Sequence, residues 1–401
     1  MQPRMSAAVL AALPLDTHAL RLTGESMAEL LTSCAIGYSA TRLGLLDGAA
    51  VRSLARVVFN LFLPSMLLTS VATTVSRGAG SLSALLVVPL LAWAQTALGV
   101  LAGAASLRLI RTERASAAGR GVTVLSSFGN SGVLPLIFVH SLFRHAADAA
   151  TRQRAASLVA MYLLGWSPVF WTLGYALLTG ASSPSPSPSA SSPSSFPSPL
   201  PAAPHASPAD LRARLARAVN PPIVACLAGL LIGVTPPLRR LLLPSAAGAP
   251  PPLPLYRCLE NFGKAYSPAA VLALAGSLAT PAAGRPAAPH ELGHRAAHVF
   301  AISLSRLVLV PLASFGALHA ALRLRLLPAD PLRDFVLLLQ SCMPPAQNAV
   351  LALQVGDEPE SAARMARVLL AVYLIAAVPV AGILSLLLQQ YAGRLGLSIP
   401  R

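Results

Sequence analysis

Lysine is almost missing from this chain: Lys264 is the only one among 30 Lys+Arg residues. Charge of either sign is scarce, at 11% of 401 residues, where a soluble protein carries about a quarter. With 55% hydrophobic residues and a mean hydropathy of +0.64, such a chain cannot cover a water-facing surface, and it reads as an integral membrane protein. No carboxylate sits near the middle of any apolar run, which argues against a sodium or proton site built on an intramembrane acid. The four cysteines, Cys34, Cys226, Cys258 and Cys342, form no Cys-x-x-Cys pair, and three of them fall in apolar segments. A disulfide framework or metal site is therefore not expected, nor is any cofactor. The sequence contains no Asn-x-Ser/Thr acceptor. The period-2 alternation of barrel strands is also lacking, so any membrane crossing is helical. The net charge of +16 is nearly all arginine. Those arginines scatter among short loops without an aromatic-interleaved stripe, which excludes a nucleic-acid partner and fits loop ends and lipid-headgroup anchors.

What is present is a recurrence of membrane-length apolar segments. A helical crossing of a hydrocarbon core about 30 Å thick needs roughly 20 such residues. Ten segments qualify: 27–45, 52–74, 82–106, 122–143, 156–179, 219–241, 261–279, 297–321, 334–355 and 365–389. Between the fifth and sixth runs ASSPSPSPSASSPSSFPSPLPAAPHASPAD, a Ser/Pro stretch that cannot bury a core and is expected to be a disordered linker. The organisation is thus an N-terminal segment (1–26), a first group of five segments (27–179), a linker (180–218), a second group of five (219–390) and a C-terminal tail (391–401). The opening MQPRMSAAVLAALPL has the arginine and short apolar run of a signal peptide but no convincing cleavage site.

The two groups of five look related. FNLFLPSMLLTSVAT in segment two and NFGKAYSPAAVLALAGSLAT in segment seven both place Asn and Phe before a proline, Pro64 or Pro268. Segment four is interrupted at FGNSGVLP (128–135) and segment nine at QSCMPPAQN (340–348). Five is odd, so the second group enters the membrane inverted relative to the first. Inverted repeats with helices broken in matching positions point to a transporter binding site. A break at mid-membrane is tolerated only where protein or a water-filled cavity covers the freed backbone. The half-helix N-termini then offer partial positive charge to an anion. Gly129 and Gly132 are expected to permit the unwinding, and Pro135 to start the second half-helix. Pro344 and Pro345 are expected to act similarly in segment nine.

At these residues the sequence resembles the auxin efflux carrier superfamily, and within it the PIN-LIKES branch of plants and algae. GNSGVLPL looks like that family's Gly-Asn-Thr-Gly-Asn-Leu-Pro-Leu. LQSCMPPAQNAVLALQVG (339–356) is similar to its Gln-x3-Pro-Pro-Ala-x-Asn block. NPPIVACLAGLLIGVTPPLRRLLL (220–243) resembles its sixth segment, and FLPSMLLTSVA its second. The resemblance implies an all-α integral membrane fold of ten transmembrane helices in two inverted five-helix repeats. Segments 1, 2, 6 and 7 form a scaffold domain. Segments 3–5 and 8–10 form a moving transport domain, with broken helices 4 and 9 crossing at the substrate. It further implies carriage of indole-3-acetic acid or a related small organic anion by alternating access. The branch is associated with the endoplasmic reticulum; the plasma membrane is the second expectation. A homodimer through the scaffold helices is a further expectation, beside the lipid bilayer as the chain's surroundings. The sequence departs from the family where its second asparagine in helix four is Val133, which removes one amide that could hold a carboxylate.

The substrate-binding candidates are Asn130, Ser131 and Pro135 at the first break, and Gln340, Pro344, Pro345 and Asn348 at the second. Asn130 either contacts substrate or caps the broken helix, and Asn348 is expected to face it. Gln340 either contacts substrate or makes a helix-packing hydrogen bond. Ser65 and Thr69, after Pro64, either line the scaffold wall or bond back to carbonyls one turn earlier. Arg306 lies deep in AISLSRLVLVP, where a charge costs ~2.5–3.5 kcal/mol on insertion scales. It serves charge balance for the substrate, holds carbonyls of a broken helix, or snorkels. Lys264 is a second charge-balance or gating candidate, although an i,i+4 pair with Glu260 is the plainer reading. Tyr162 and Trp166, one turn apart, either stack on an aromatic substrate or pack.

Two rival readings remain. HELGH (290–294) matches the His-Glu-x-x-His of zinc proteases, with His290 and His294 as ligands, Glu291 as base and Asp47 of LLDG as a third ligand. The stretch precedes the eighth segment, the Asp-Gly element comes in the reverse of the expected order, and the matched helix breaks go unexplained. It therefore reads as a polar loop in a protein that is not an enzyme. The other rival is a channel or receptor of the same fold, which saturable, counter-flow-accelerated flux would exclude.

Overall fold

The computed structural model describes residues 17–78, 82–143, 149–180, 220–243, 253–279 and 289–396. The predicted linker falls almost wholly outside the described residues. Among them the regular elements are helices, and strand-like pairing is confined to one isolated bridge between Gly129 and Pro345. In chain order they are α1 (Thr17–Arg42), α2 (Gly48–Val57), α3 (Leu63–Gly78), α4 (Leu82–Leu109), α5 (Ala117–Ser127), α6 (Val133–Leu142), α7 (Ala149–Val169) and α8 (Tyr175–Thr179). After the linker come α9 (Pro221–Val234), α10 (Pro236–Leu242), α11 (Leu253–Ala279), α12 (Pro289–Leu304), α13 (Val310–Arg323), α14 (Pro331–Cys342), α15 (Asn348–Val355) and α16 (Pro359–Leu395). Wide π-helical turns join α2 to α3 (Val58–Phe62), α7 to α8 (Phe170–Gly174) and α12 to α13 (Ser305–Leu309).

Local chemistry sets the helix starts. Asp47, Ser116, Asn220 and Asp330 each accept from the backbone N–H three residues on, satisfying a donor that the first turn leaves free. Pro221, Pro236, Pro331 and Pro359 occupy first positions, where no N–H is needed.

Every predicted segment lies on a helix or helix pair, but length and apolarity alone do not yield ten crossings. Five continuous stretches qualify: Gly48–Ser76, Leu86–Leu109, Ala150–Thr179, Gly293–Arg323 and Pro359–Leu395. The sixth segment, expected to run unbroken over 219–241, bends by 103° between Val234 and Pro236. The ring of Pro236 forces Thr235 out of the helical region (φ −92°, ψ 106°), so the chain turns there. The remaining predicted segments fall on α1 and α11, which are dotted with polar residues, and on the broken pairs α5/α6 and α14/α15.

Helix α3 packs along α9 and α11, and α11 also packs along α1. The α3–α9 approach depends on Gly229 and Gly233, spaced as small-xxx-small. A Cβ at Gly229 would lie 2.7 Å from the Leu68 carbonyl oxygen, and one at Gly233 would lie 2.6 Å from the Val75 Cβ. Helix α4 packs on α5 and α7, while α14 and α15 pack on α16. The two interrupted pairs meet in the interior, with α5, α14 and α15 largely buried.

Candidate functional site

The break between α5 and α6 and the break between α14 and α15 cross as two short antiparallel strands. Asn130 N–H donates to the Pro344 carbonyl at 2.7 Å, and Ala346 N–H donates to the Phe128 carbonyl at 2.9 Å. Each break thus satisfies backbone groups of the other, which is what an unwound segment requires away from water. The prolines act differently from expectation. α15 starts at Asn348, so Pro344 and Pro345 do not begin the half-helix; they lie in the crossing strand. The physical reason is that each proline disfavours helix in the residue before it, leaving Met343 extended (φ −65°, ψ 140°). Pro135 does sit buried in the first turn of α6, where its missing N–H costs nothing.

Arg306 is buried to 2% exposure and locks the crossing. Its Nε donates to the Met343 carbonyl at 2.8 Å and its Nη2 to the Gln340 carbonyl at 3.0 Å. A cation is thereby placed against the negative end of α14. Of the readings open for Arg306, the geometry corresponds to holding carbonyls of a broken helix. Among the described residues no carboxylate pairs with it. Gly129 is needed because its Cβ position is occupied by the Arg306 guanidinium, not because of its backbone angles. Gly132 is less constrained: a Cβ there meets only Leu163 methyls, the nearest at 3.6 Å. The π-helical turn also brings Ser305 Oγ to 2.6 Å from Ser126 Oγ.

A pocket opens beside the crossing. Asn130, Ser131 and Val133 line it from one break, and Gln347 and Asn348 from the other. Trp166 of α7, Leu63 and Met66 of α3 and Tyr266 of α11 complete the wall. Its water-accessible volume is ≈ 20 Å³, about enough for one water. The first turns of α6 and α15 begin at this pocket; the N–H groups of Leu136, Ala349 and Val350 bond the Gly132, Ala346 and Gln347 carbonyls, which leaves those of Val133, Leu134 and Asn348 to face it.

Both asparagines are held by tyrosines. Tyr373 of α16 donates to the Pro345 carbonyl at 2.8 Å, and Asn130 Nδ2 donates to the Tyr373 hydroxyl at 3.1 Å. Tyr266 donates to Asn348 Oδ1 at 2.6 Å. Neither tyrosine was singled out from the sequence. The available signal was a lone hydroxyl-bearing aromatic in an apolar run, which finds a partner when buried.

The other candidates fall elsewhere. Gln340 is fully buried and bonds the Ser131 carbonyl through Nε2 at 3.1 Å, tying the two breaks together. Thr69 bonds back to the Ser65 carbonyl at 2.8 Å, and neither residue lines the pocket. Lys264 lies outside it as well, 67% exposed and 3.5 Å from Glu260. Tyr162 donates to Gln95 Oε1 at 2.8 Å, and Gln95 Nε2 continues to the Leu337 carbonyl at 2.8 Å. Trp166 stacks on Phe170 with ring centroids 4.7 Å apart and meets Phe128 edge-on.

The HELGH stretch is not a loop, as its polarity suggested: it forms the first turns of α12. Its apolar continuation and i,i+4 spacing carry the helix through. Asp47, its candidate third ligand, is engaged as the cap of α2, accepting from Ala50 N–H at 2.6 Å. Among the described residues no three His, Cys, Asp or Glu side chains converge on one point.

Crossed, interrupted helices among long apolar ones define a polytopic helical membrane protein. The chain belongs to the membrane transport protein family, whose profile matches residues 23–384. It is 28% identical over 141 residues to PIN-LIKES 3 of Arabidopsis thaliana, covering 35% of this chain and 34% of that protein. It is 32% identical over 173 residues to PIN-LIKES 6 of the same plant, covering 42% and 36%. The matched stretches span about a third of each relative's length.

Proposed function

We propose that the protein is a carrier, not an enzyme, that moves auxin (indole-3-acetic acid) or a related small organic anion across the endoplasmic reticulum membrane by alternating access. The observation that carries this is the pocket itself. Two half-helix N-termini and the Asn348 amide nitrogen converge there, no carboxylate lines it, and a buried guanidinium is tied into the same crossing. Each of these favours a bound negative charge.

Two inverted five-helix repeats account for the packing. Segment two on six (α3 on α9) has its counterpart in seven on one (α11 on α1), and three on five (α4 on α7) in eight on ten (α12 on α16). In this reading Leu63, Met66 and Tyr266 belong to the scaffold, while the crossing and Trp166 belong to a transport domain that slides past it. Val133, standing where the family has an asparagine, shifts the carboxylate's contacts toward Asn348 and the helix tips.

Uptake of labelled indole-3-acetate into proteoliposomes tests the proposal, with wild type beside Asn130→Ala and Asn348→Ala under an imposed potential, with and without a pH gradient. The expected result is saturable flux driven by potential and lost in both variants. Absence of flux from folded wild-type protein sinks the auxin reading.

A further inference from the structure

The pocket wall contains two buried polar atoms with no partner: Trp166 Nε1 and Gln347 Oε1. Their residues are 3% and 5% exposed, and both line the same pocket. Leaving such groups unbonded is costly, so their presence in a small site calls for a ligand that bonds them. Their chemistry differs. Indole Nε1–H only donates, whereas an amide oxygen only accepts.

The asparagines fit the same division. Tyr373 has one proton and gives it to the Pro345 carbonyl, so its oxygen can only accept from Asn130. That turns Asn130 Nδ2 toward Tyr373 and leaves Oδ1 as a further acceptor. Asn348 spends Oδ1 on Tyr266, leaving Nδ2 as a donor. The inventory is therefore mixed. Trp166 Nε1, Asn348 Nδ2 and the N–H groups of Val133, Leu134 and Asn348 donate, while Gln347 Oε1 and Asn130 Oδ1 accept. A simple carboxylate answers only the donors, and the acceptors repel it.

We propose that Gln347 is a specificity-determining residue that accepts a hydrogen bond from an N–H or O–H on the substrate remote from its carboxylate, while Trp166 Nε1 donates to the carboxylate. This rests on the anion-carrier reading above and deepens it.

The test is equilibrium binding to the purified full chain of two probes, indole-3-acetate and its N-methyl analogue, which differ in the ring N–H. Wild type, Gln347→Met, Gln347→Leu and Trp166→Phe are compared, each checked for monodispersity. Wild type is expected to prefer indole-3-acetate by about tenfold, the worth of one hydrogen bond. Both Gln347 variants are expected to abolish that preference, so that the two acids bind them with equal affinity. Trp166→Phe, which preserves the stack on Phe170, is expected to weaken both acids by the same factor. Equal affinity of wild type for the two acids, or parallel loss of both in the Gln347 variants, overturns the assignment and leaves the anion carrier standing. No binding of either acid by wild type overturns both.

Discussion

Asn348 and Tyr266 are joined by a 2.6 Å hydrogen bond between elements that the carrier reading assigns to different domains, whereas Asn130 and Tyr373 both sit on the transport side. In that reading one asparagine travels with its tyrosine, and the other parts from it whenever the pocket opens. Tyr266→Phe is therefore expected to speed exchange between inward and outward states while lowering stability by ~0.5–1.5 kcal/mol, the net worth of one such bond. Single-molecule distance measurements and a melting curve check the two effects.

Tyr373→Phe should act differently. It strands the Pro345 carbonyl and frees the Asn130 amide to rotate, costing ~1–3 kcal/mol through the unsatisfied groups. Since the exchange rate does not depend on this bond, the expected signature is a raised KM with unchanged opening kinetics, read in uptake assays on variant and wild type side by side.

Arg306→Met removes both carbonyl bonds and the cation at the end of α14. Hydrogen bonds to a charged group contribute ~1.5–3 kcal/mol each, so a large loss of stability is expected. Arg306→Lys keeps the charge but not the fork, and should fall between. Thermal unfolding in detergent ranks the three proteins.

Gly129→Ala places a methyl where the Arg306 guanidinium lies, and Gly132→Ala does not. The first should abolish transport and lower Tm, and the second should leave Tm nearly unchanged. Pairing Gly129→Ala with Arg306→Ala should cost less than the sum of the single changes, because the clash disappears with the side chain. A double-mutant cycle on Tm reads this directly.

Lys264→Ala and Thr69→Val serve as controls. Lys264 makes an exposed pair worth ~0–1 kcal/mol at most, and the Thr69 hydroxyl only bonds back along its own helix. Uptake close to wild type is expected from both, and a tenfold loss from either would place it in the transport path.

Much of this arrangement was legible in the sequence, for identifiable reasons. Low charge and repeated apolar runs fix a helical membrane protein, and Gly-Asn-Ser-Gly and Pro-Pro inside such runs mark the breaks. The function of Gly129 was not legible, because its constraint comes from Arg306, 177 positions away and on another helix. The bend at Pro236 carried the same Pro-Pro signal, but the leucines beyond Arg240 made 219–241 look like one span. Gln347 and the two tyrosines escaped notice because burial and partner geometry, rather than spacing, distinguish them. The HELGH polarity suggested a loop since composition registers charge but not the helical continuity that the following apolar turns impose.

The lone lysine has a practical consequence. Apart from the chain terminus, Lys264 is the sole primary amine, and it stands exposed on α11. An amine-reactive dye therefore labels the 401-residue chain at one internal position without cysteine engineering. For the same reason, any regulation that works by attaching a protein tag to a lysine side chain has a single address on this molecule.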